Sequence, residues 1–194
     1  MRIVAIDLET SDLKALMGII LCASFQEIVP PGYYSNHHDT APRPYTYKLC
    51  RTEKNKFEPN PDRTLAVQIR DEIEKYNMIV TWNGKLFDVP FLNARLSFFG
   101  ERPVKPQFHL DPMYHAGGGS ARIGSKKLVN VQKFFKLGEV TDGGKTDIDW
   151  DTWKAAALGD PNAMKEVVGH CEADVKVLAA AYWKLLPFVA NIHR

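Results

Sequence analysis

Asp7 and Glu9 in IVAIDLET, Asp88 in NGKLFDVPFL and Asp174 in HCEADVKVL are four carboxylates in three short segments of this chain. Carboxylate oxygens are preferred ligands of hard divalent cations such as Mg²⁺ and Mn²⁺. Four of them would hold two such ions, and a metal pair suits phosphodiester cleavage because it clamps both the attacking and the leaving oxygen. Asp7 and Glu9 stand two apart, so on a strand both side chains leave the same face. They follow the apolar run IVAI, toward the carboxyl end of a central strand, which is where ligands bind in open α/β sheets. The plainer alternative is a strand that ends in acids as it meets solvent.

The other two acids carry the same kind of choice. Asn83-Gly84 follows the strand-like MIVTW, and the helical period after it argues for a strand-to-helix loop rather than a hairpin turn. Asp88 then lies just before Pro90, where an acid serves equally well as a helix cap. Phe87 beside it points either into the core or onto a nucleobase, since aromatic stacking holds single strands without sequence preference. His170 and Asp174 are four apart in a helical stretch and share a face. They form either a surface ion pair or a metal ligand with a general base, the imidazole titrating near neutrality.

Weaker groups surround these. His37, His38 and Asp39 lie in a loop without a further ligand at useful spacing. His109, Asp111 and His115 offer donors for a cation, but read more simply as a strand end with solvated imidazoles. Asp147, Asp149 and Asp151 precede an amphipathic helix and suit its first turn or cap. Arg122, Lys126 and Lys127 on a glycine-rich loop are candidate phosphate contacts, which position a strand without specifying it; a solvated basic loop is the alternative.

These side chains need a scaffold, and the 194 residues, 45% of them hydrophobic, supply enough apolar surface for one domain spanning 1–194. The net charge of +2 requires no nucleic-acid partner and excludes none, so a phosphate-binding surface must be local. Three scattered cysteines without a CxxC pair fit a reducing cytoplasm and argue against a disulfide scaffold or a zinc knuckle. An acid already at position 7 argues against a signal peptide, and LMGIILCASF is too short to span a bilayer. A soluble cytoplasmic protein is expected.

Strand patterns fall at 2–8, 18–25, 45–50, 78–82 and 107–111, with a Pro/Gly-rich excursion over about 30–44. Asn60-Pro61 reads as the cap and first residue of a helix reaching Tyr76. A helix after Asp88 ends at Gly100, residues 116–127 read as a flexible basic loop, and helices are expected at 128–137 and 149–158. Asp160-Pro161 opens a long helix or helix pair to about Leu186. Three strands, then helices interleaved with two more, describe an α/β fold with a mixed five-stranded sheet flanked by helices.

Taken in order, DLET, then NGKLFD with PFL, then HxxxD followed by VxVL resemble the three motifs of the DEDD superfamily of 3′–5′ exonucleases. The spacing is most similar to the exonuclease domain of family B DNA polymerases and to small bacterial and phage exonucleases, over residues 3 to about 180. The resemblance implies a ribonuclease H-like fold in which Asp7, Glu9, Asp88 and Asp174 bind two Mg²⁺ or Mn²⁺ ions. Asn83 and Phe87 match positions that hold the terminal nucleotides, and Thr10 matches one beside the 3′ end. One departure stands out. The subfamily with this spacing carries tyrosine four residues before the last Asp, and the other branch carries histidine five before it. Here His170 is four before Asp174 and Gly169 is five before, a rotation of about 100° on a helix. His170 therefore takes the tyrosine-type place with histidine chemistry, as a general base.

The expected activity is metal-dependent 3′–5′ hydrolysis of single-stranded or frayed ends, DNA before RNA, by a monomer working beside replication or repair proteins. RNA 3′-end trimming, a catalytically silent nucleic-acid-binding module and an internally cutting endonuclease of the same fold are the alternatives.

Overall fold

The computed structural model describes residues 1–30, 42–52, 54–137 and 148–189. Along them run β1 (Ile3–Thr10), β2 (Ile20–Glu27), β3 (Tyr45–Lys48), α1 (Arg63–Ile73), β4 (Met78–Val80), α2 (Asp88–Phe98), β5 (Phe108–Leu110), α3 (Met113–Gly117), α4 (Leu128–Phe135), α5 (Trp150–Leu158) and α6 (Pro161–Leu185). The excursion expected at about 30–44 falls mostly outside the described residues, as do His37, His38, Asp39 and Asp147. No described helix is long and apolar enough to cross a membrane.

Among the described residues the strands form one mixed sheet in the order β3-β2-β1-β4-β5. β2 runs antiparallel to β1 and β3, while β4 is parallel to both β1 and β5. The apolar run in β1 reflects its central place, with both faces covered. Even-numbered Ile6 and Leu8 look onto Ile69 and Ile73 of α1 and Leu92 of α2. Odd-numbered Ile3 and Ala5 pack with Val175, Leu178, Ala179 and Tyr182 of α6. Strand alternation then sends Asp7 and Glu9 to the α6 face. This step from apolar core to acid on one face of one strand is what builds the site.

α6 is punctuated as its sequence suggests: Asp160 caps it by accepting from Asn162 N and Ala163 N, and Pro161 is its first residue. It is a single helix rather than a pair. Cys171, Val175, Leu178 and Tyr182 form a stripe at helical spacing, all buried on the sheet. Asp149 likewise caps α5, accepting from Thr152 N.

α1 departs from expectation. Asn60 and Pro61 do not open it; the helix begins at Arg63, and Asp62 before it makes no side-chain cap bond. The Asp62 carboxylate is fully buried and committed elsewhere. It accepts Arg95 Nη2 at 2.6 Å, Arg95 Nε at 2.9 Å and Ile20 N at 3.0 Å. Arg95 also donates to Asn60 Oδ1 and Ala15 O, so one ion pair joins α1, α2 and the loop after β1. The basic segment expected to be flexible is also tied down. Its start belongs to α3, and Ala121 N and Ile123 N donate to His115 O and Ala116 O.

Candidate active site

Asp7 and Glu9 sit within β1, which runs past the expected end at residue 8 because its pairing with β2 continues to Thr10. Their carboxylate oxygens and Cys171 Sγ of α6 all lie within 4.8 Å of one another. Cys171 Sγ donates to the Asp7 carbonyl at 3.3 Å. His170 Nε2, one residue earlier on α6, is 3.7 Å from Glu9 Oε1. The imidazole is buried, and Trp153 of α5 meets it edge-on at 5.9 Å between ring centroids. Asp174 follows one turn later on α6 and is itself buried.

Asp88 reaches the same place from the opposite face. It is the first residue of α2, and its Oδ1 accepts Leu8 N from β1 at 3.0 Å. The N-cap position of α2 belongs to Phe87, with no side-chain cap bond, and Asp88 stands in the first turn. Burial raises the Asp88 carboxyl well above its ordinary range, and the Asp7 charge raises it further.

That crowding is the observation by which a metal can be judged. Two carboxylates share one strand face, and a third is desolvated beside them with its anionic form disfavoured. A dication would relieve both the repulsion and the lost hydration. The donors fit hard divalent cations, with Asp7, Glu9, Asp88 and Asp174 as the residues that would hold them.

The loop after β4 is built to present Asn83. Asn83 has φ of 68°, in the left-handed region that asparagine tolerates better than most residues. Gly84 follows because a Cβ there would stand 2.4 Å from Thr81 Cβ. Asp111 fixes this loop, its Oδ1 accepting Asn83 N at 3.0 Å and its Oδ2 accepting Lys85 N at 3.3 Å. It also accepts Met113 N at 3.3 Å. Sequence reading grouped Asp111 with two histidines as an incidental strand end; the structure makes it the brace of the Asn83 loop. The signal available was one acid just after a strand parallel to MIVTW. His109 is not a solvated imidazole either. It bonds Thr81 Oγ1 at 2.7 Å, and burial, then the Lys85 charge, pulls its pKa down to about 4.

The remaining residues divide. Phe87 turns to the core, half-buried against Phe91 at 5.6 Å between centroids, while Leu86 beside it is 69% exposed. Thr10 ends β1 after an irregular step in register, and its hydroxyl donates to Asp12 O at 2.8 Å. Arg122, Lys126 and Lys127 are exposed. Their loop is hung from the carboxyl end of β4 by Trp82 Nε1 donating to Lys126 O at 2.8 Å. The parallel register Ala5↔Val80 puts that end level with the acids of β1. The Lys126 stem fills the space beside Gly117.

Comparison with known proteins agrees with this architecture. A family profile of the RNase_H superfamily matches residues 32–186, a span that begins after β1 and β2 and so omits Asp7 and Glu9. Among solved structures, the family B DNA polymerase of the hyperthermophilic archaeon Pyrobaculum calidifontis superposes with a TM-score of 0.68 at 18% identity. The match covers 96% of this chain and 25% of the polymerase chain, so this protein spans about a quarter of that relative. At that identity the likeness is one of fold. No curated protein matches the sequence significantly. The profile covers well over half of the chain, including β3 to β5 of the mixed sheet and the long helix α6: the chain belongs to the RNase_H superfamily.

Proposed function

We propose that this protein is a metal-dependent 3′–5′ exonuclease that hydrolyses the terminal phosphodiester of single-stranded or frayed nucleic acid and releases nucleoside 5′-monophosphates. The observation that carries the reading is the meeting at β1. Asp7 and Glu9 face α6, His170 stands 3.7 Å from Glu9, and Asp88 enters on the Leu8 amide. Superfamily membership supports nuclease chemistry as the class.

Asp7, Glu9, Asp88 and Asp174 would hold two divalent cations, Mg²⁺ or Mn²⁺. Bound there, such ions make a water more acidic and neutralise charge growing on the phosphate and the leaving 3′-oxygen. His170 Nε2 would accept a proton from the attacking water, and Glu9, 3.7 Å away, would stabilise the imidazolium that forms. Trp153 closes one edge of the imidazole against solvent. Asn83 and Thr10 border the terminal nucleotide, and Arg122, Lys126 and Lys127 take upstream phosphates. DNA is the preferred substrate, in keeping with the polymerase likeness.

Digestion of 3′- and 5′-labelled oligonucleotides with Mg²⁺, Mn²⁺ or EDTA tests the reading. A 5′-labelled strand should shorten stepwise with metal, a 3′ label should leave at once as mononucleotide, and a closed single-stranded circle should survive. Cleavage in EDTA, release of the 5′ nucleotide first, or nicking of the circle would refute it.

A further inference from the structure

The two cysteines that look scattered in the sequence meet behind the carboxylates. Glu9 is paired in register with Cys22 of β2, and alternation turns that side chain toward α6. There its thiol is a hydrogen-bond partner of Cys171. The two thiols and the acidic pair thus occupy one side of the sheet, under one turn of α6. Cys171 lies nearer the acids, its Sγ within 4.8 Å of both the Asp7 and the Glu9 oxygens. His170 Nε2 adds a nitrogen close to Glu9.

Such a donor set is not uniformly hard. Mg²⁺ takes oxygen and leaves a thiol alone, whereas Zn²⁺ is bound readily by thiolate, imidazole and carboxylate together. At Zn–S of about 2.3 Å and Zn–O of about 2.1 Å, donors sharing a tetrahedral ion stand roughly 3.5 Å apart. The three atoms therefore need to close by little more than an ångström, within reach of side-chain rotation.

We propose that Asp7, Glu9 and Cys171 form a mixed oxygen–sulfur site that takes a thiophilic divalent cation, Zn²⁺ or its analogue Cd²⁺, in competition with the hard ions of the proposed exonuclease. This rests on the metal reading given above and deepens it: the same carboxylates serve hard ions through oxygen alone and softer ions through oxygen and sulfur. On binding, the Cys171 S–H bond breaks, its proton leaves to water and a sulfur–metal bond forms. Cys22, the hydrogen-bond partner of the Cys171 thiol, does not join the group.

The test is a Cd²⁺ titration of the full chain in a Cys50→Ser background, which removes the exposed thiol. It is followed by thiolate-to-metal charge-transfer absorption in the ultraviolet and, separately, by competition with Mn²⁺. A band saturating at one Cd²⁺ per chain and reversed by Mn²⁺ is the expected result. Cys171→Ser should abolish the band and weaken Cd²⁺ about tenfold or more, the scale on which even indirect changes at a metal site act, while Mg²⁺ binding holds. Cd²⁺ binding without the band, or a band that persists in Cys171→Ser, overturns the sulfur ligand. Should Cys171→Ser fail to fold, Cys22→Ser in the same background keeps the test decisive: the band persists where Cys171 is the ligand, and its loss overturns the assignment. If Mn²⁺ binds and Cd²⁺ shows no sulfur band, only this inference falls; if neither ion binds, the metal reading falls with it.

Discussion

Asp88 stands between two demands. Its Oδ1 ties α2 to β1 through the Leu8 amide, yet burial and the Asp7 charge both disfavour its anionic form. Asp88→Asn separates the two, because the amide oxygen can still accept from Leu8 while the charge is gone. In EDTA the melting temperature of the variant should equal or exceed that of the wild type, and nearly all nuclease activity should be lost. A large fall in the EDTA melting temperature would mean that the residue is structural first. His170 invites a separate measurement, since it is both buried and close to Glu9. His170→Ala should lower turnover by roughly 10²–10⁴, the usual contribution of a general base. Near-wild-type single-turnover rates would remove it from the mechanism.

Elements decide how far the chain could be read in advance. β1 and α6 were legible because their determinants are local: an apolar run for the strand, and an Asp-Pro start with a buried stripe at helical spacing for the helix. α1 was misread because Asn60-Pro61 carries a local capping signal that a distant residue overrides. Asp62 is drawn into the ion pair with Arg95 of α2, and nothing near Asp62 announces it. With that pair fully buried, Arg95→Met should cost about 3–5 kcal/mol in denaturant unfolding, the scale for stranding one partner of a buried pair. A loss below about 1 kcal/mol, the scale of an exposed pair, would show that the guanidinium is solvated. His109 at the end of β5 gives a pH signature. With its folded pKa drawn down to about 4, the unfolded chain takes up a proton between the ordinary value of 6.5 and that lower value while the folded chain does not. Its share of stability is therefore complete above pH 6.5 and lost as pH falls toward 4. The wild-type melting temperature should drop relative to His109→Asn over that window; a constant gap would contradict a buried neutral imidazole.

At the scale of the molecule, the sheet gathers what the sequence scatters. Alternation along β1 sends Asp7 and Glu9 toward α6, and the parallel register with β4 brings the Asn83 loop and its Asp111 brace to the same end. The order of the acidic motifs was readable in advance because each motif is short and contiguous. The Cys22–Cys171 contact and the role of Asp111 were not, since both depend on strand register and helix placement. All of these features meet at one expected pair of ions, so the most direct measurement is a crystal grown with Mn²⁺ and read by anomalous scattering. Two Mn²⁺ peaks shared among Asp7, Glu9, Asp88 and Asp174 are expected. Metal-free carboxylates at saturating Mn²⁺, with Asp88 still on the Leu8 amide, would contradict a two-metal nuclease.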